Sequence, residues 1–130
     1  MADLAITNTA VALNTVVAIP ATVAATEDGA GTAQNMVITP TKADAQLVIR
    51  AKVADTNGAV ALTVTKGDHW AATADLALSC AQATDNVFIL EGGKYTQSDG
   101  TIVITATPAS GKKLKTDHAF VMSAFQLANK

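Results

Sequence analysis

The sequence predicts an all-β fold: an antiparallel β-sandwich or small jelly-roll-like barrel with an extended N-terminal segment. Three observations predict it. Apolar and polar residues alternate with a period of two through most of the chain, turn residues recur roughly every 8–12 positions, and no long stretch shows the i, i+3, i+4, i+7 spacing of an amphipathic helix. The 130 residues suit one folded unit. By texture it divides into residues 1–35, an arm or edge strands, and residues 36–130, the sandwich domain.

Residues 5–33 are rich in Ala, Thr and Val, contain no Lys or Arg, and carry charge only at Glu27 and Asp28. Two readings fit. One is a pair of edge strands followed by a loop over Thr26–Thr32. The other is an arm that pairs its backbone with a neighbouring subunit, since strand addition draws affinity from main-chain hydrogen bonds and needs little side-chain chemistry. Leu4, Ile6, Val11 and Leu13 are its candidate contact residues.

The clearest alternation runs from Ala45 to Val53. Leu47, Ile49, Ala51 and Val53 share one face, Gln46, Arg50 and Lys52 the other, and Val48 is the exception. Asp55-Thr56-Asn57-Gly58 follows, and Asn-Gly readily supplies two residues of positive φ. Val60, Leu62 and Val64 then alternate with Ala61, Thr63 and Thr65, so the two segments are expected to form an antiparallel hairpin. Leu76 and Leu78 suggest a short strand ending near Cys80, although the alanines of 71–83 also suit a turn or two of helix. Val87 to Glu91 is a compact apolar run, Gly92-Gly93 reads as a turn, and a short strand is expected through Tyr95. Ser98-Asp99-Gly100 is a tight turn leading into Thr101–Thr107, where Ile102, Ile104 and Ala106 share a face. Pro108 to Lys113 reads as a loop. Ala119 to Leu127 is apolar on both sides, which places it centrally in a sheet or under a neighbouring chain.

Composition narrows the function. Charged residues are 15% of the chain and the net charge is -2, against about 25% charged residues in an ordinary domain. A nucleic-acid binder needs a basic face to displace counterions, so no nucleic-acid partner is expected. At 49% apolar the chain is too hydrophobic for a disordered tail. Only 4% is aromatic, so the core must be built from Val, Ile, Leu and Ala, each burying modest area, and burial against a partner would add stability. The N-terminus has Asp3 and no basic start, which is unlike a secretory signal. The nearest approach to a membrane span, Val11–Ala25, is broken by Asn14, Thr15, Pro20 and Thr22. Synthesis in a cytoplasm and no membrane partner are expected.

No constellation for catalysis emerges, and no cofactor or metal is expected. Cys80 is the single cysteine, which excludes an intrachain disulfide and a multi-cysteine zinc site; it reads as a buried structural thiol. His69 and His118 lack metal-ligand spacing. Asp28-Gly29, Asp55-Thr56-Asn57-Gly58 and Asp99-Gly100 are explained by turn geometry. Ala109-Ser110-Gly111-Lys112-Lys113 lacks the upstream glycine of a phosphate loop. Lys112, Lys113 and Lys115 form a basic cluster that is either a solvated loop or a contact for an acidic protein surface. Trp70, the only tryptophan, either caps the sandwich end or anchors a partner, as tryptophans do at interface hot spots.

Three stretches carry a resemblance: Ala-Asp-Ala-Gln-Leu-Val-Ile-Arg-Ala-Lys-Val at 43–53, Leu-Thr-Val-Thr-Lys-Gly-Asp at 62–68, and Phe-Ile-Leu-Glu-Gly-Gly-Lys-Tyr-Thr-Gln-Ser-Asp-Gly-Thr-Ile-Val-Ile at 88–104. The pattern is similar to small β-sandwich proteins among tailed-bacteriophage structural genes, including capsid decoration (cement) proteins. It spans residues 45–107, about half the chain, and consists of strand-and-turn patterns. It implies a non-enzymatic virion protein on the capsid exterior, made in the host cytoplasm, whose partners are the major capsid protein and its own copies. Some such families are trimers with extended arms, a role that residues 1–35 suit. Under this reading Leu4, Ile6, Val11, Leu13, Trp70, Lys112, Lys113 and Lys115 are the partner-binding residues. A head-fibre or tail component would share the fold. A carbohydrate-binding or adhesin module is the alternative from another class, but it usually displays several exposed aromatics.

Overall fold

Val, Ile and Thr favour strands because their branched side chains pack well on a pleated surface. A computed structural model of the protein describes residues 3–6, 8–12, 14–18, 21–41, 46–68 and 74–127. These form strands β1 (Asp3–Ile6), β2 (Asn8–Val11), β3 (Val23–Ala24), β4 (Gln34–Ile38), β5 (Gln46–Val53), β6 (Val60–Val64), β7 (Leu76–Cys80) and β8 (Thr84–Glu91). A helical turn α1 (Gly92–Tyr95) and strands β9 (Ile102–Thr107) and β10 (Val121–Leu127) complete the described chain. The fold is all-β, as the alternation predicts.

Two sheets pack face to face as a sandwich. The first has the order β1-β4-β9-β6-β7; the second is β2-β10-β5-β8, with β3 also paired to β10. Met36, Ile38, Leu62, Val64, Ile102 and Ile104 of the first sheet meet Leu47, Ile49, Leu90, Met122 and Ala124 of the second in one core. Each large aliphatic side chain there is worth about 1.5–3 kcal/mol in transfer free energy. The core is aliphatic, with Phe120 the one fully buried Phe, Tyr or Trp among the described residues.

Each sheet's inward row also carries a buried glutamine. Gln34 accepts from the Thr26 and Glu27 amides at 3.0 and 3.2 Å and donates to Thr26 Oγ1 at 2.6 Å. Gln126 Oε1 accepts from the Thr41 amide at 2.7 Å and its hydroxyl at 2.8 Å. These buried side chains tie the backbone of two surface loops to the inner face of the sandwich.

The structure corrects four expectations. The sheets are mixed, not antiparallel: β1 runs parallel to β4, and β2 parallel to β10. Parallel pairing needs a crossover of a dozen residues or more, and residues 7–33 and 12–120 provide it. Next, β5 and β6 are not a hairpin. β5 pairs with β8 and β10, and β6 with β7 and β9, so the 54–59 connection carries the chain from one sheet to the other. Of its Asn-Gly pair only Gly58 has positive φ, at 109°, whereas the two-residue hairpin turn requires both. Both strands bury their apolar rows inward, and facing across the core satisfies those rows as well as lateral pairing would. Third, Gly92–Tyr95 is one helical turn where a Gly92-Gly93 turn and then a short strand through Tyr95 were expected; it begins the passage from β8 in the second sheet to β9 in the first. Last, β10 starts at Val121, two residues later than expected, because Ala119 takes a left-handed φ of 49°.

The apolar last strand is central, between β5 on one side and β2 and β3 on the other. Residues 3–6 and 8–11 are edge strands on the chain's own sheets. β4 spans residues 34–38, across the 35/36 boundary drawn by texture.

Candidate interaction surfaces

Register defines what each sheet turns outward. On the first sheet, Asp3, Asn35, Thr105, Thr63 and Ala77 lie in one row across five strands. Asn35 Nδ2 donates to Asp3 Oδ1 at 3.1 Å, and the Thr105 hydroxyl donates to Asn35 Oδ1 at 2.9 Å. The neighbouring row is Thr107, Ala61 and Ser79. On the other side of the first row lie Ala5, Val37 and Val103, so this face is hydroxyl-rich with one small apolar row, and its valines are half-buried.

The second sheet turns out larger apolar groups. Phe125, Val48 and Ile89 form one row and Ser123, Arg50 and Val87 the next, with Ser123 covered, followed by Val121, Lys52 and Asp85. Val87 is 67% and Ile89 62% exposed, while Val48 and Phe125 are half-buried. A shallow hollow of about 400 Å³ is lined by Arg50, Asp85, Asn86, Val87 and Phe125. Arg50 grips Asp85 through two bonds, Nε to Oδ1 at 3.0 Å and Nη2 to Oδ2 at 2.7 Å. That grip holds the Asp85 carboxyl below the usual carboxylate range, helped by the charge of Lys52, and raises the Arg50 guanidinium. The pair neutralises the charge within an apolar patch.

β8 is the outermost strand of this sheet, so one of its backbone edges faces no other strand among the described residues. Acidic residues stand near both ends, Asp85 and Glu91. A second β8 pairing antiparallel about Phe88 would set Asp85 against Glu91, and like charges opposed across strands destabilise. Edges guarded in this way resist pairing with their own copies.

The sequence-predicted contact residues are dispersed. Leu4 is half-buried and packs on the core, Ile6 is buried within it, and Val11 is half-buried in β2. Leu13 and Trp70 lie outside the described residues, as does His69. Lys112 and Lys113 are half-buried and Lys115 is exposed. Their segment, residues 108–120, is an anchored connection: Leu114, His118 and Phe120 point into the protein and are buried. Asp117 Oδ2 accepts from the Lys113 amide at 2.8 Å, the Lys115 amide donates to Glu27 O at 3.1 Å, and Thr116 donates to Asp28 through its amide and hydroxyl. The Thr116 hydroxyl, with Lys113 and Lys115 nearby, holds the Asp28 carboxyl below its ordinary range.

Cys80 is buried at the end of β7, and desolvation pushes its thiol up, away from the reactive thiolate form. Asn57, in the Asp-x-Asn-Gly element, spends its side-chain amide on Asp117 O at 2.7 Å. Val87 and Ile89 are the surface residues that sequence reasoning missed. Both faces of β8 are apolar at its centre, with Phe88 and Leu90 inward, so alternation does not say which pair is exposed.

Comparison of the chain with protein-family models, curated proteins and solved structures finds no match.

Proposed function

We propose that the protein is a non-enzymatic capsid decoration protein that binds the outside of a phage head and stabilises its lattice. The observation that carries this reading is the outward face of the second sheet. Val87 and Ile89 stand exposed beside half-buried Val48 and Phe125, and contiguous apolar surface on a small soluble domain marks an interaction site. The resemblance in residues 88–104 begins in the strand that carries this patch. The partner is the major capsid protein, with the N-terminal strands and the Lys112–Lys115 segment as further contacts and like copies assembling alongside. Binding to the assembled lattice but not to its dissociated subunits stabilises the shell by mass action, and many copies per particle add avidity.

Co-sedimentation with purified expanded phage heads tests this. The wild-type protein is expected in the pellet, and a Val87→Lys, Ile89→Lys variant in the supernatant with its fold intact. Failure to bind heads, or recovery with tails instead, overturns the reading.

A further inference from the structure

His118 is fully buried in the connection between β9 and β10. Its Nε2 accepts a hydrogen bond from the Ala109 amide at 3.1 Å. A nitrogen that accepts carries no proton, so the neutral ring holds its proton on Nδ1, and buried Nδ1 has no partner. The ring is therefore built into the fold in its uncharged form. Protonation would place a proton on Nε2, facing the Ala109 N–H donor to donor, and leave a buried cation without an acceptor.

The backbone around the ring is stitched to one distant segment. The Ala54 amide donates to His118 O at 3.2 Å and Asn57 Nδ2 to Asp117 O at 2.7 Å, tying the connection to the 54–58 turn. Gly58 lies so close that a Cβ there would stand 3.0 Å from Ala109 Cβ. The next residue, Ala119, has a left-handed φ of 49°, a conformation that residues with a Cβ rarely adopt. The closed state thus holds strain beside the ring.

We propose that His118 is an acid-sensitive latch: protonation of its imidazole frees Ala109 from the ring and parts Asp117 and His118 from the 54–58 turn, while Leu114 and the sandwich stay packed. The charged groups that act on the ring are Asp117 and Lys112 of its own connection and Asp55 of the turn. Burial lowers the imidazole most and Lys112 lowers it further, while Asp117 and Asp55 raise it, and the balance is downward. The sign follows. A group whose closed-state value lies below its free value is neutral in both states at high pH. As pH falls below the free value near 6.5, the opened state takes up a proton that the closed state refuses. Opening then gains roughly tenfold per pH unit until the closed-state value is reached.

Amide hydrogen exchange, corrected for intrinsic rates, tests this between about pH 7.5 and about pH 5, the window in which histidine changes charge. Exchange at Ala109 and Ala54 is expected to rise roughly tenfold or more, reversibly, with β5 and β9 still protected. In His118→Gln, whose side chain can accept from Ala109 but does not titrate, exchange should be independent of pH. The wild-type imidazole is also titrated by NMR, a test that does not depend on the variant's folding; its midpoint should lie below 6.5 and coincide with the loss of protection at Ala109. Unchanged protection at acid pH overturns the latch, as do acid opening in His118→Gln, simultaneous loss of β5 and β9, and a midpoint at or above the free value. None of these readouts involves phage heads, so the latch can fail while the capsid reading stands, or the reverse.

Discussion

Along β6 and β9 of the first sheet, Leu62, Val64, Ile102 and Ile104 face the core while Ala61, Thr63, half-buried Val103, Thr105 and Thr107 face out. Along β5 and β8 of the second, Leu47, Ile49 and Leu90 face the core while Val48, Arg50, Val87 and Ile89 face out. The inward halves are interchangeable in kind, down to one buried glutamine in each sheet. The outward halves are not. Burial demands the same chemistry wherever it occurs, so the inner rows reveal the fold. An outer row is free to vary, and what it carries reports what the surface meets.

The largest effect should come from the inner rows. Leu47→Ala and Leu62→Ala are each expected to cost about 2–5 kcal/mol in urea denaturation, and a small loss in only one would break the equivalence of the two inner faces. Next, Gln34→Ala and Gln126→Ala should each cost about 1–3 kcal/mol, because the loop amides they serve lose their buried acceptor. The outer faces are then separated by charge insertion. Val87→Lys with Ile89→Lys should change stability by no more than about 0.5 kcal/mol while abolishing sedimentation with heads. Ala61→Lys with Ala77→Lys on the first sheet should leave both unchanged. Loss of binding in the second variant would mean that the hydroxyl-rich face is the contact.

The smallest effect belongs to the exposed ion pair. Arg50→Ala should let the Asp85 carboxyl return toward its ordinary value, read by NMR titration, with a slight loss of stability that fades in high salt. Asp28, Asp85 and Asp99 are all held below the free value of 3.8 by hydrogen bonds, Asp99 by those from Thr101. Their contributions are therefore present above that value and vanish as pH falls through the lower folded ones. A stability profile that improves on acidification below about pH 4 would contradict the sign. His118 acts in the separate, higher window near neutrality.

Alternation made β5, β6 and β9 legible because one face of each is buried and the other is not. At β8 and β10 both faces are apolar, so the strands could be expected but not oriented, and the exposed pair Val87 and Ile89 stayed hidden. The candidate contacts fared unevenly for the same reason: Ile6 and Val11 look alike in sequence, yet one is buried in the core and the other half-buried on an edge strand. His118 carried no motif, since its setting comes from Ala109, nine residues earlier, and from the distant 54–58 turn.

By itself the sequence determined the all-β class and most inward residues, because the two-residue period of a pleated strand is local. Only the tertiary structure decided that β5 and β6 belong to different sheets, that β1 and β2 run parallel to their neighbours, and which apolar residues remain outside. Those choices depend on contacts between distant segments. An apolar row is satisfied equally by a neighbour beside it or a sheet across the core, and no local pattern distinguishes the two.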